Sequence, residues 1–259
     1  MEASRDRRHS LAELQLALGE VAAAQASGEA SVEHADRSGG NFQRMVNRIR
    51  LADTKHQAGV LKAADTLFAE AETMQAESQP DFPWLYSLQG YQYCDLLLTL
   101  GQAEAVRERA PYAMDIALRG SRNLLDIALD HLSLGRAALA LGDRDEARTQ
   151  LDQAVDGLRE AGDIMYLPHG LLARAVFFRE VEQFDLSRRD LAEAMRIATR
   201  SGLRLHECDA HLEYARLALA EGEHGDAVAH FKSAASLVSE CGYHRRDPEI
   251  LELREKLGI

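Results

Sequence analysis

Ala24, Ala64, Val106, Ala147, Ser187 and Ala227 are small or modest residues that recur at steps of 40, 42, 41, 40 and 40. Four positions after each stand Gly28, Phe68, Ala110, Leu151, Leu191 and Phe231. Three further on come Ser31, Ala71, Ala113, Ala154, Ala194 and Ala234. A small–large–small set at i, i+4 and i+7 lies on one stripe of an α-helix. Twelve residues before each first member stand Ala12, Ala52, Cys94, Gly135, Ala175 and Ala215, a matching small position on a preceding helix. Small residues on both partners let two helices of a hairpin approach closely, and the larger residue fills the space toward the next hairpin. Turns keep the same period. One series runs Gly19, Gly59, Gly101, Gly142, Glu182 and Gly222. A second runs Gly39, Gly120, Gly162, Gly202 and Gly242, with the Gln79–Pro83 stretch at the remaining boundary. Glycine suits both, because helices commonly end on a left-handed residue.

The pattern predicts an all-α chain, a right-handed α–α solenoid of six hairpins at about 7–39, 42–78, 84–120, 121–162, 166–202 and 204–242. A capping helix follows at 248–257, and the whole reads as one domain over 1–259. Ala147 is expected to face Gly135 across the fourth hairpin. Pro248 is expected in the first turn of the last helix, with Asp247 as its N-cap and Ile250, Leu251 and Leu253 covering the last hairpin. Gly28 and Ser31 weaken the second helix of the first hairpin. Pro111 removes a backbone donor inside another helix, which should kink it or delay its start. Lys55 and Arg174 stand where neighbouring repeats are apolar, and are expected to reach past the core.

Composition adds exclusions. Proline is scarce and aromatics make up 6% of the 259 residues, which favours helix over sheet. The formal charge of −12 disfavours generic binding to nucleic acid or to an anionic membrane. No apolar run is long enough to cross a bilayer, and Met1–Ser10 lacks the apolar core of a signal peptide. Cys94, Cys208 and Cys241 are widely spaced, as expected of reduced thiols in a cytoplasmic protein.

The small–large–small stripe and its facing small residue resemble the tetratricopeptide repeat. That repeat is usually about 34 residues, so this longer period implies longer helices. Stretches such as LDIALDHLSLGRAALALGD and HLEYARLALAEGEHGDAVAHF are similar to the repeat tails of bacterial NACHT/STAND signalling ATPases. That second resemblance implies an ATPase or other signalling domain as partner. The chain has no GxxxxGK[ST] phosphate loop, so ATPase activity does not carry over.

Catalytic constellations are absent from the sequence. There is no HExxH or CxxC, and His206/His211 and His224/His230 are spaced five and six apart, on diverging faces. The ten histidines therefore read as exposed and without role, and no metal or cofactor is expected. Cys94 reads as a packed thiol, and the basic clusters Arg5–Arg8 and His244–Arg246 as solvated ends. The first helices of the hairpins should line the concave surface. Along them runs a polar row of Glu13, Asp53, Asp95, Arg136, Val176 and Arg216, whose charge changes sign along the chain. Four residues earlier runs an apolar row of His9, Ile49, Tyr91, Leu132, Leu172 and Leu212. One turn beyond lies a third row of His56, Leu98, Leu139, Arg179 and Leu219. Asp53, His56, Tyr91, Asp95, Arg136, Arg179 and Arg216 are the candidate partner contacts. The expected function is non-catalytic: a scaffold or sensor that binds a protein or peptide in its groove. The alternative is a regulatory peptide receptor that controls a transcription factor or enzyme by conformational change.

Overall fold

The computed structural model describes residues 11–38, 40–120 and 122–259. His9, Gly39 and the Arg5–Arg8 cluster lie outside them. Among the described residues the secondary structure is helical, in consecutive antiparallel pairs. The pairs are α1 (Leu11–Ala17) with α2 (Val21–Ser38), α3 (Asn41–Gln57) with α4 (Leu61–Ser78), and α5 (Ser87–Thr99) with α6 (Ala103–Arg119). They continue as α7 (Leu124–Ala140) with α8 (Arg144–Ala161), α9 (Leu167–Glu180) with α10 (Phe184–Ser201), and α11 (Arg204–Glu221) with α12 (His224–Cys241). A 3-10 turn (His244–Arg246) leads into α13 (Asp247–Leu257). The odd-numbered helices touch one another in sequence and form the inner layer of an α–α solenoid.

The repeated small positions form the seam of each hairpin. Ala24, Ala64, Val106, Ala147, Ser187 and Ala227 are all fully buried. Ser187 satisfies its hydroxyl by donating to the Ala175 carbonyl across the hairpin at 2.9 Å. In the fourth hairpin Ala147 is buried as expected. A Cβ placed on Gly135 would lie 2.7 Å from Cγ of Leu151, so Gly135 makes room for the large residue one turn beyond Ala147. Gly28 does the same for α3, where Leu51 packs against it, and α2 runs straight through it. The helix also continues through Pro111, which sits on the exposed side of α6. Lys55 and Arg174 do not reach past the core but are held by carboxylates, Lys55 by Glu29 and Arg174 by Asp190 and Asp152.

The solenoid curves until its ends meet. Val21 and Ala58 from the first two hairpins share one apolar cluster with Leu205, Cys208 and Leu212 from the last, and with Tyr243 and Leu253 beyond it. Gly19 is pressed against the far end. A Cβ there would come within 2.8 Å of Cys241 Sγ and 2.9 Å of Arg204 Cβ, and the backbone is left-handed with φ of 78°. The terminal helix holds Pro248 in its first turn as expected, but its N-cap is Arg246, not Asp247. Asp247 is already helical and accepts from His244. Ile250 and Leu253 are buried, whereas Leu251 points to solvent, because i and i+3 share a helix face and i+1 does not.

Candidate functional site

Closure of the ring leaves a central, partly open cavity of about 280 Å³. Every member of the polar row lines it: Glu13, Asp53, Asp95, Arg136, Val176 and Arg216, one from each inner helix. Tyr91, Leu172 and Leu212 of the apolar row reach it as well. Ile49 and Leu132 are instead buried between hairpins, and no member of the third row lines it. His56 is fully buried behind the wall, with Nε2 2.9 Å from Thr99 Oγ1. Arg179 is turned along the wall into an ion pair with Glu213. Those two candidates therefore stand behind or beside the cavity, because the helix turns them one step past the row that faces inward. A neighbouring hollow of about 250 Å³ shares Glu13, Gln92 and Tyr166 with the cavity.

The strongest electrostatic feature is the link that closes the ring. Arg245 Nη1 donates to Asp95 Oδ2 at 2.7 Å and Nη2 to Oδ1 at 2.9 Å, a two-pronged pair between the C-terminal turn and α5. Arg245 also donates to Gln57 Oε1 at 3.1 Å and Thr99 Oγ1 at 3.2 Å. Arg136 Nη1 reaches the same carboxylate at 2.7 Å. Burial alone would raise the Asp95 carboxyl, but Arg245 and Arg136 outweigh it and hold the group well below the usual carboxylate range. Arg246 makes a parallel pair with Asp209 at 2.7 Å, and Tyr243 donates to the same carboxylate at 3.2 Å. The His244–Arg246 cluster is thus no solvated end. Arg245 crosses the ring to an acid 150 residues away, and Arg246 places its charge against Asp209 of the adjacent last hairpin.

Asp53 is held differently. Its Oδ1 accepts from Gln57 at 2.8 Å and its Oδ2 from Gln92 at 3.2 Å, and no cation pairs with it among the described residues. Burial pushes its carboxyl up to about 6, with Asp95 adding to the rise and Gln57 and Arg245 opposing it. Beside it stands an aromatic wall. The Tyr91 ring meets Tyr166 edge-on at 6.2 Å and His169 at 6.0 Å, and His169 meets His206 at 4.4 Å. The Tyr91 hydroxyl and both ring nitrogens of His206 are buried without a hydrogen-bond partner in the protein. Burial keeps His169 and His206 below their ordinary range, so the wall is neutral at pH 7.

The histidines depart from the expectation of exposure. Of those described, only His34, His224 and His244 are exposed. His211 pairs with His230 at 2.9 Å between Nδ1 atoms, and His169 with His206, each across two helices rather than along one. Among the described residues no three His, Cys, Asp or Glu side chains gather as a metal site, and no helix is long and apolar enough to cross a membrane. Cys94 is buried in the seam, where loss of hydration pushes its thiol up to about 12.

No family model matches the chain, and no curated protein matches it in sequence. Solved structures do match its fold. A Rap protein complexed with competence and sporulation factor superposes with a TM-score of 0.73 at 12% identity, covering 95% of this chain and 74% of that one. BtubC from P. vanneervenii superposes with a TM-score of 0.57 at 16% identity, covering 90% of this chain and 92% of that one. The chain has a tetratricopeptide-like helical-repeat fold. At these identities the likeness speaks for architecture alone.

Proposed function

We propose that this chain is a receptor or scaffold module that holds a short peptide segment in its central cavity, without catalysis. One observation carries the reading. The cavity sits at the focus of six inner helices, is lined by charges of both signs, and holds buried polar groups that the protein itself leaves unpartnered. Such groups are costly to bury unless something bonds them. A cavity of this size suits an extended segment, not a folded domain. The Rap protein, similar in fold, was solved with competence and sporulation factor bound, which fits a ligand-binding use of this architecture. The ATPase or other signalling domain implied by the sequence resemblance would then be the element that reads the bound state. A regulatory role is favoured by Arg245, because a ligand that competed for Asp95 would also loosen the ring.

The test is retention of a randomised library of short linear peptides by the full chain, separated by gel filtration and identified by mass spectrometry. The expected result is a sequence-restricted set, lost in Ala173→Trp, whose indole would occupy the cavity. Retention of the same set by that variant, at unchanged melting temperature, would move recognition to the outer surface. Retention of nothing would overturn the reading.

A further inference from the structure

Five carboxylates line the cavity, and four of them meet an arginine: Glu13 with Arg50, Asp95 with Arg245 and Arg136, Asp209 with Arg246, and Glu213 with Arg179. Asp53 alone has no cationic partner among the described residues. A carboxylate placed in a cavity beside aromatic rings, and left unpaired where all its neighbours are paired, is a site for a positive charge from outside. A second, independent feature points the same way. Tyr91 is 4% exposed, lines the cavity, and carries a hydroxyl with no partner.

We propose that Asp53, Tyr91 and Gln92 form a subsite for a primary ammonium group of the bound ligand. The inference rests on the cavity being the ligand site. In the peptide reading the ammonium is a free amino terminus. Ammonium fits better than guanidinium. Each Asp53 oxygen already accepts one amide N–H, so a planar fork would need both remaining lone pairs at once. A point-like cation with three donors needs only one remaining lone pair on Asp53, and the unpartnered Tyr91 hydroxyl on the same cavity wall is the second acceptor we assign to it. Tyr91 and Tyr166 stand at 89° to one another, so the ammonium and its first carbons would meet an aromatic face. The charged and titratable groups acting on Asp53 are Asp95 on α5, Arg245 in the C-terminal turn and Glu13 on α1. Binding of a cation would favour ionised Asp53, so affinity should rise as the pH passes upward through about 6.

The probe is benzylamine, set against benzyl alcohol as its neutral counterpart, with saturation-transfer NMR on the full chain at pH 7.5. Benzylamine should bind about tenfold or more tightly than the alcohol, and Asp53→Asn should abolish that difference. Tyr91→Phe, which keeps the ring, should weaken benzylamine a few-fold and leave benzyl alcohol unchanged. A proton spectrum matching the parent chain shows that each variant is folded. Equal binding of amine and alcohol to the parent chain, or benzylamine binding unchanged in folded Asp53→Asn, would overturn the proposal. The peptide library separates this failure from that of the peptide reading. If retained peptides bind equally with free and acetylated amino termini, the subsite falls and the peptide reading stands. If benzylamine binds through Asp53 while no peptide is retained, the reverse holds.

Discussion

Single positions show how much a period can reveal. Glu182 stands in the slot that five glycines fill elsewhere, and its backbone is left-handed like theirs, with φ of 59°. The register was legible because the steric demand of a close hairpin repeats, so each small residue is stated several times over. Isolated residues had no such redundancy. Asp130 is 2% exposed on α7, and burial, with Asp126 adding to it, pushes its carboxyl up to about 8. Since the unfolded chain would ionise it near 4, the folded state binds more protons between those values. Its contribution is complete below about pH 4 and is lost as pH rises through about 8. Asp130→Asn should remove this slope. Its stability relative to the parent chain, followed by urea unfolding, should improve by on the order of 1 kcal/mol per pH unit across that window. A difference that does not change with pH would show that Asp130 is not held protonated.

Elements were legible where their signals are local. The helices fall where the stripes and turns put them, and Pro248 opens the last one. What the sequence could not disclose was the fate of Arg245, because a short basic run near an end looks solvated until the superhelix brings α5 opposite it. Arg245→Met leaves Asp95 buried with only Arg136 as cationic partner. It should cost about 3–5 kcal/mol in urea unfolding, as expected when one partner of a buried ion pair is removed. An unchanged midpoint would mean that the apolar contacts of the last hairpin close the ring unaided.

At the scale of the whole molecule, the inward row from Glu13 to Arg216 could be read from the register, since all six positions repeat with the hairpins. The cavity they share could not. Curvature sums small rotations over six hairpins, and no single residue encodes it. Tyr91 on α5 meets Tyr166 and His169 at the start of α9 only through that sum. The central cavity depends on closure of the ring, and Gly19 offers a direct probe of it. A Cβ there lies 2.8 Å from Cys241 Sγ and 3.5 Å from its Cβ, within reach of a disulfide. Gly19→Cys, mildly oxidised at low concentration and mapped by peptide mass spectrometry, should yield a 19–241 disulfide within one chain. Free thiols at both positions in a variant whose melting temperature matches the parent chain, or links only between chains, would contradict a closed ring and with it the cavity at its centre.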